Sequence, residues 1–179
     1  MPLKSSFCYS VALATVATAT LAPVASAATF NFSYTSSTGT ITATVDGTLQ
    51  PDNNTVFVSS ISNTTFNGSP APALPFVGSY TDTIFAGVLT GQAVLSLDGS
   101  GLDFVACDNT FCDDGFGFLP PGVIAPFTVF ASGTSYGASF EPFILANYSL
   151  TTVPESATVL GLLSVAGVGL LCKGRKLEK

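Results

Sequence analysis

Residues 107 to 115 read Cys-Asp-Asn-Thr-Phe-Cys-Asp-Asp-Gly, the densest run of chemically capable side chains in the chain. Three chemistries could use them. Cys107 and Cys112 are set to close a small loop by a disulfide in an oxidising compartment. A redox-active pair would need two-residue spacing and a nearby cation to lower a thiol pKa, and both are missing. Asp108, Asn109, Asp113 and Asp114, with Asp98 and Asp103 on the hairpin before them, offer the hard oxygen ligands that Ca²⁺ takes. Their spacing is not that of an EF-hand, and the same residues make an ordinary solvated acidic loop. Asp103 with Asp113 or Asp114 could also be a hydrolytic carboxylate pair, which needs two acids roughly 5 to 10 Å apart across a cleft.

Other catalytic chemistry lacks its parts. The chain has no histidine, and its cationic side chains are Lys4, Lys173, Arg175, Lys176 and Lys179. Between residues 28 and 152 stand Asp46, Asp52, Asp82, Asp98, Asp103, Asp108, Asp113, Asp114 and Glu141, with no cationic side chain among them. A His-activated nucleophile, a guanidinium clamp and a cationic oxyanion donor are therefore all unavailable. The stretch reads as non-enzymatic, with no catalytic residue and no cofactor. It cannot form an internal ion pair, but exposed pairs contribute only about 0–1 kcal/mol each, so folding does not require them. A uniformly negative surface repels phosphates, which excludes nucleic acid as a partner.

Periodicity indicates how these residues are carried. Phe30, Phe32 and Tyr34 alternate with polar neighbours, as do Ile41, Ala43 and Val45, the mark of half-buried strands. Ser36 to Gly39 reads as a hairpin connection and Asp46-Gly47 as the next turn. Further strands are expected over Thr55–Ile61, Thr81–Phe85, Gln92–Leu97, Leu102–Ala106, Phe127–Ser132, Ser135–Phe140 and Phe143–Leu150. Asp98-Gly99, the Pro70 to Pro75 run and Pro120-Pro121-Gly122 punctuate them, and no segment shows sustained helical spacing. The expectation is one domain of about 125 residues, an all-β antiparallel sandwich of roughly eight to ten strands with a largely phenylalanine core. Phe111, Phe116 and Phe118 could instead form an exposed aromatic platform for a sugar.

Both ends of the chain carry the marks of export. Lys4 is a minimal positive n-region, Phe7 to Leu21 an apolar run rich in Thr and Ala, and Ala25-Ser26-Ala27 a signal-peptidase site that leaves Ala28 as the new N-terminus. Cys8 precedes the apolar run, so it is not a lipoprotein cysteine. At the other end Val153-Pro154-Glu155-Ser156 leads into an apolar stretch, 157–172, and a basic end, 173–179. As a helix the apolar stretch measures roughly 24 Å against a hydrocarbon core of about 30 Å, short but able to span where flanking lysines snorkel. Pro154 extends the backbone before it and suits a helix start, where Glu155 is favourably placed. Lys173, Arg175 and Lys176 form the membrane stop and leave the C-terminus in the cytoplasm.

This order of motif, apolar helix and basic end resembles the sorting tail of PEP-CTERM proteins. The resemblance covers 153–179, and Ser156 stands where the fullest form of the motif has a second proline. It implies an exosortase as processing enzyme and an inner-membrane intermediate held by the C-terminal helix. It further implies a destination at the cell surface or in the extracellular matrix of a Gram-negative-type bacterium, with exopolysaccharide as a partner. The organisation expected is a signal peptide (1–27), a β-sandwich ectodomain (28–152) and a sorting tail (153–179). The leading reading is an exported, non-enzymatic surface or matrix protein. The alternative is an acidic glycan- or Ca²⁺-binding module anchored by an unprocessed single-pass helix.

Overall fold

Strict alternation along the first two strands decides which of their faces is buried. In the computed structural model, which describes residues 25–120 and 128–154, β1 (Ser26–Thr35) buries Phe30, Phe32 and Tyr34, and β2 (Thr40–Leu49) buries Ile41, Ala43 and Val45. The Ser36–Gly39 hairpin forms as expected, closed by the Ser36 N–H on the Gly39 carbonyl at 2.8 Å. Asp46-Gly47, however, is no turn. Both residues lie inside β2 at a register shift, where a Cβ on Gly47 would come within 2.7 Å of the Phe57 carbonyl. The chain turns at 51–54, where Asn53 adopts a φ of 57° and the Asp52 carboxylate accepts the Asn54 and Thr55 N–H groups. β3 (Thr55–Phe66) then runs beyond Ile61, because pairing with β2 resumes past a second irregularity and brings Phe66 opposite Ile41.

The remaining elements are β4 (Ser69–Pro70), β5 (Phe76–Gly78), α1 (Tyr80–Ala86), β6 (Val94–Ser96), β7 (Phe104–Cys107), β8 (Gly115–Leu119), β9 (Thr128–Ser132), β10 (Ser139–Pro142), a 3-10 turn (Leu145–Asn147) and β11 (Tyr148–Thr152). One sheet has the order β11-β1-β2-β3-β4 with β6 also on β3; the other has the order β10-β9-β8-β7-β5. Every pairing is antiparallel. The eleven strands among the described residues exceed the expected eight to ten, the surplus being pieces of two or three residues. The sheets meet across an aromatic core in which Phe32 stacks on Phe116 at 5.4 Å and Tyr34 meets Phe118 edge-on at 5.4 Å. Such pairs add about 0.5–1.5 kcal/mol beyond the area they bury.

Several expected strands are corrected. Thr81–Phe85 is the helix α1, since Ser79 caps its start and Gly87, at a φ of 70°, ends it. Leu102–Ala106 shifts to β7, and Gln92–Leu97 shortens to β6, which joins the opposite sheet. The Asp98-Gly99 turn therefore crosses between sheets, tied by the Val94–Asp103 bridge. Ser135–Phe140 holds mostly a turn that buries Tyr136, whose hydroxyl donates to the Pro72 carbonyl. In Phe143–Leu150, Phe143 stacks on Tyr34 at 5.7 Å and regular pairing begins only at Tyr148.

β8 lies outside the strands expected from the sequence, because glycine is a poor strand former. Here it is required. A Cβ on Gly117 would lie 2.6 Å from the Phe104 carbonyl and 2.9 Å from Tyr80, so one face of β8 must be bare for β7 and α1 to approach. Its other face puts Phe116 and Phe118 in the core, each 1% exposed, which removes them from the expected aromatic platform; Phe111 alone is exposed, at 88%.

Among the described residues no helix is long and apolar enough to cross a membrane. The anticipated signal stretch up to residue 24, Glu155, Ser156, the tail helix and Lys173, Arg175 and Lys176 lie outside the described residues. The burial contrast makes a direct prediction. Phe116→Ala should cost about 3–5 kcal/mol of unfolding free energy and Phe111→Ala less than about 0.5 kcal/mol, measured by urea denaturation.

Candidate functional site

The β7–β8 hairpin pairs Cys107 with Gly115, and the intervening loop is closed by the Cys107–Cys112 disulfide, with 4.8 Å between the Cα atoms. Within the closed loop Cys112 adopts a φ of 57°. Backbone and carboxylate then knit the loop together: Asp108 N–H donates to the Asp114 carbonyl and Asp114 N–H to Asp108 Oδ1, both at 2.9 Å. The Asn109 amide donates to Asp108 Oδ2 at 3.1 Å and to Asp113 Oδ2 at 3.0 Å. Asp114 faces the turn after β9, accepting from Ser135 N–H and Oγ, each at 3.2 Å.

This geometry bears on the Ca²⁺ ligand set proposed from sequence. Asn109, counted there as an oxygen ligand, uses its carbonyl to accept the Phe111 N–H at 2.8 Å and turns its donor side to the two carboxylates. Among the described residues no three or more His, Cys, Asp or Glu side chains converge as a metal site. The hydrolytic pairing fails on distance. Asp103 precedes β7 whereas Asp113 and Asp114 precede β8 at the other end of the antiparallel hairpin, which separates them by roughly 17 Å at strand rise.

Asp103 instead anchors the helix. Its Oδ1 accepts the Thr81 N–H at 2.9 Å and its Oδ2 the Ser79 hydroxyl at 2.8 Å, while Ser79 Oγ accepts the Asp82 N–H at 3.0 Å. Two of the free N–H groups at the start of α1 are thus satisfied by one buried serine and one carboxylate. Asp98 is held by neutral donors in the same way. The Ser100 hydroxyl at 2.7 Å, the Ser100 N–H at 2.9 Å and the Asn54 amide at 3.0 Å keep its carboxyl well below the usual carboxylate range. Asp52 is lowered too, chiefly by the Thr55 hydroxyl and then by the N–H groups of Asn54 and Thr55.

The helix so anchored lies over the outer face of the second sheet. Tyr80 meets Phe130 edge-on at 5.9 Å. Between α1 with its following loop and the disulfide loop runs a groove of about 490 Å³. Val105, Cys107, Tyr80 and Phe130 lie beneath it, Ile84, Val88 and Leu89 line one side, and Thr110, Phe111 and Cys112 the other. No lining residue is charged. Sequence reasoning missed this groove because it assigned 81–85 to a strand; the Ser79-x-x-Asp82 cap and Gly87 stop were the signal that would have found it.

The predicted processing points lie together. Ala25 precedes β1, and Ala27 and Ala28 are already paired with Thr48 and Gly47. Val153 N–H donates to the Thr29 carbonyl at 2.8 Å, and Val153 and Pro154 share with Ala27 and Ala28 the lining of a cleft of about 440 Å³.

Comparison with protein-family models, curated proteins and solved structures finds no match to this chain.

Two predictions follow from the carboxylates. A folded-state pKa below the unfolded value stabilises the fold above about pH 3.9, and that stabilisation is lost as pH falls through the folded value. Asp98→Asn should therefore flatten the acid limb of the stability curve, read from urea midpoints measured from pH 7 down to about pH 2. Asp103→Ala should cost about 1–2 kcal/mol and selectively raise amide exchange in α1, monitored by hydrogen exchange.

Proposed function

We propose that the chain is an exported, non-enzymatic surface or matrix protein whose β-sheet body is released from a membrane-held intermediate by cleavage at both ends. One observation carries this reading: the two ends of the body emerge side by side. β1 and β11 are neighbours, Phe30 stands opposite Thr152, and the last strand stops one residue before the Val153-Pro154 half of the sorting motif.

Such an arrangement suits a domain that folds outside the cytoplasmic membrane with a signal segment at one end and a tail helix at the other. Both attachments would leave from one edge of the fold, so neither has to cross it. Cutting after Ala27 would remove only the first two residues of β1, paired with Leu49 and Thr48, and cutting beyond the motif would touch no pairing of β11. The Cys107–Cys112 disulfide agrees with an oxidising destination. Signal peptidase and an exosortase are the processing partners of this reading, the inner membrane its way station and exopolysaccharide the surroundings that the tail's resemblance implies.

The body's lack of His, Lys and Arg supports a display or scaffolding role over catalysis. Intact mass of the protein recovered from the envelope and from the medium of its producing cells tests the proposal. The expected medium form begins at Ala28 and lacks the residues after the 153–156 motif. A Pro154→Ala/Glu155→Ala variant should keep its full C-terminus and stay in the envelope. Wild-type protein whose mass runs through Lys179 in every fraction would sink the release step and leave the anchored, acidic binding module as the reading.

A further inference from the structure

The chain holds one Asn-Gly step, Asn67-Gly68, and three Asp-Gly steps, Asp46-Gly47, Asp98-Gly99 and Asp114-Gly115. In each, the glycine nitrogen can attack the side-chain carbonyl carbon of the residue before it and close a five-membered imide, because glycine carries no Cβ to obstruct the approach. The fold treats the four steps differently. Gly47 lies inside β2 opposite Ala28, and the Asp46 carboxylate accepts the Thr29 and Ser60 hydroxyls. Gly99 N–H donates to the Ser96 carbonyl at 3.2 Å, and Asp98 is fixed by Ser100 and Asn54. Gly115 sits in β8 between Cys107 and Ser132, and Asp114 is held by Ser135.

At Asn67-Gly68 the attacking nitrogen is unrestrained. Both residues are exposed at the tip joining β3 to β4, in left-handed backbone with φ of 50° and 78°. Gly68 N–H makes no hydrogen bond among the described residues, and a Cβ built on Gly68 meets no atom within 4 Å. Asn67 is held on its other side: its N–H donates to the Thr40 carbonyl at 2.8 Å, and its Oδ1 accepts the Thr40 N–H at 2.9 Å. We propose that Asn67 is a site of spontaneous deamidation in the folded protein, with the Thr40 N–H steadying the charge that gathers on Oδ1 as the ring closes.

The bonds balance without an oxidant or reductant. Gly68 N gives its proton to hydroxide or water and bonds to Asn67 Cγ, whose oxygen takes up negative charge while the Thr40 N–H donates to it. The Cγ–Nδ2 bond then breaks and ammonia leaves with a proton from solvent. Water opens the imide at Cγ to give aspartate, or at the main-chain carbonyl to give isoaspartate. Ring closure needs rotation about the Asn67 Cα–C bond, which disturbs little on the Gly68 side. There β4 is two residues long, faces β3 through Thr65–Pro70 and Phe66–Ser69, and includes a proline with no N–H to give. The aspartyl product keeps an acceptor for the Thr40 N–H. The isoaspartyl product lengthens the main chain by a methylene at the contact between this hairpin tip and Gly39-Thr40, where a Cβ on Gly39 would already lie 2.4 Å from Asn67 Oδ1. Either product adds a carboxylate to a body that has no cationic side chain to meet it.

Peptide mapping by mass spectrometry tests this, on protein recovered from its producing cells and held at mildly alkaline pH, folded or unfolded in urea. Labelling by an isoaspartyl methyltransferase identifies isoaspartate. In the folded protein the Asn67 peptide should gain the mass difference of an amide turned acid, at a rate within about tenfold of that in urea, and the three Asp-Gly peptides should gain no isoaspartate over the same period. Gly68→Ala, whose Cβ has room but shields the attacking nitrogen, should slow the change at Asn67 at least about tenfold. The comparison of folded with unfolded wild type needs no variant, so it stands even where Gly68→Ala fails to fold. The proposal is overturned by an Asn67 that stays intact in the folded protein while reacting in urea, by an Asp-Gly step that reacts faster, or by a folded Gly68→Ala variant that deamidates at the wild-type rate.

Discussion

A body without a single cationic side chain has to satisfy each buried or ordered carboxylate with neutral donors, and much of the loop structure follows from that. Asp52 closes the β2–β3 turn through N–H groups and a threonine, Asp98 fixes the crossing between sheets through Ser100 and Asn54, and Asp103 caps α1. Even Glu141, on β10, is held by the Ser37 N–H in the first hairpin, at 3.0 and 3.1 Å to its two oxygens. In most proteins some of these bonds would be ion pairs to lysine or arginine. These four meet backbone N–H groups that are in surplus at turns, a hairpin tip and a helix start, while Asp46, inside β2, accepts the Thr29 and Ser60 hydroxyls.

Cohesion between the sheets falls in consequence to aromatic rings and their hydroxyls. Phe32, Phe104, Phe116 and Phe118 fill the space between the layers, and three tyrosines fasten connections to it. Tyr34 Oη accepts the Ile144 N–H at 3.2 Å, Tyr148 Oη donates to the Ser96 carbonyl at 2.8 Å, and Tyr136 Oη donates to Pro72. Each ring is apolar where the core needs bulk and polar where a loop carbonyl or amide would otherwise go unpaired. Burial raises the pKa of all three, so these links stay protonated through the physiological range.

Against this background of unpaired carboxylates, the groove between α1 and the disulfide loop has no charged residue in its lining. The groove exists because α1 is pinned to one sheet by Asp103 and Ser79 while the disulfide holds the β7–β8 tip opposite it. The pairing of β1 with β11 brings the first and last strands among the described residues to a common edge.

The sequence by itself determined the antiparallel β character, the first two strands with their hairpin, the charge balance and the Cys107–Cys112 loop. Each is a local or compositional property: alternation with period two, short turns, a count of charges, two thiols a few residues apart. The tertiary structure alone decided the rest. Whether Phe116 and Phe118 face the core or the solvent depends on β8 pairing with β7 and β9, and Gly115 and Gly117 conceal that strand from propensity because their purpose is to let other backbone come close. Thr81–Phe85 carries a local helix signal in Ser79-x-x-Asp82 and Gly87, but where that helix is held depends on Asp103, a carboxylate distant in sequence that accepts the Thr81 N–H and the Ser79 hydroxyl. Local pattern cannot report a partner contributed by another part of the chain, and such partners create the groove and bring the two ends of the body together.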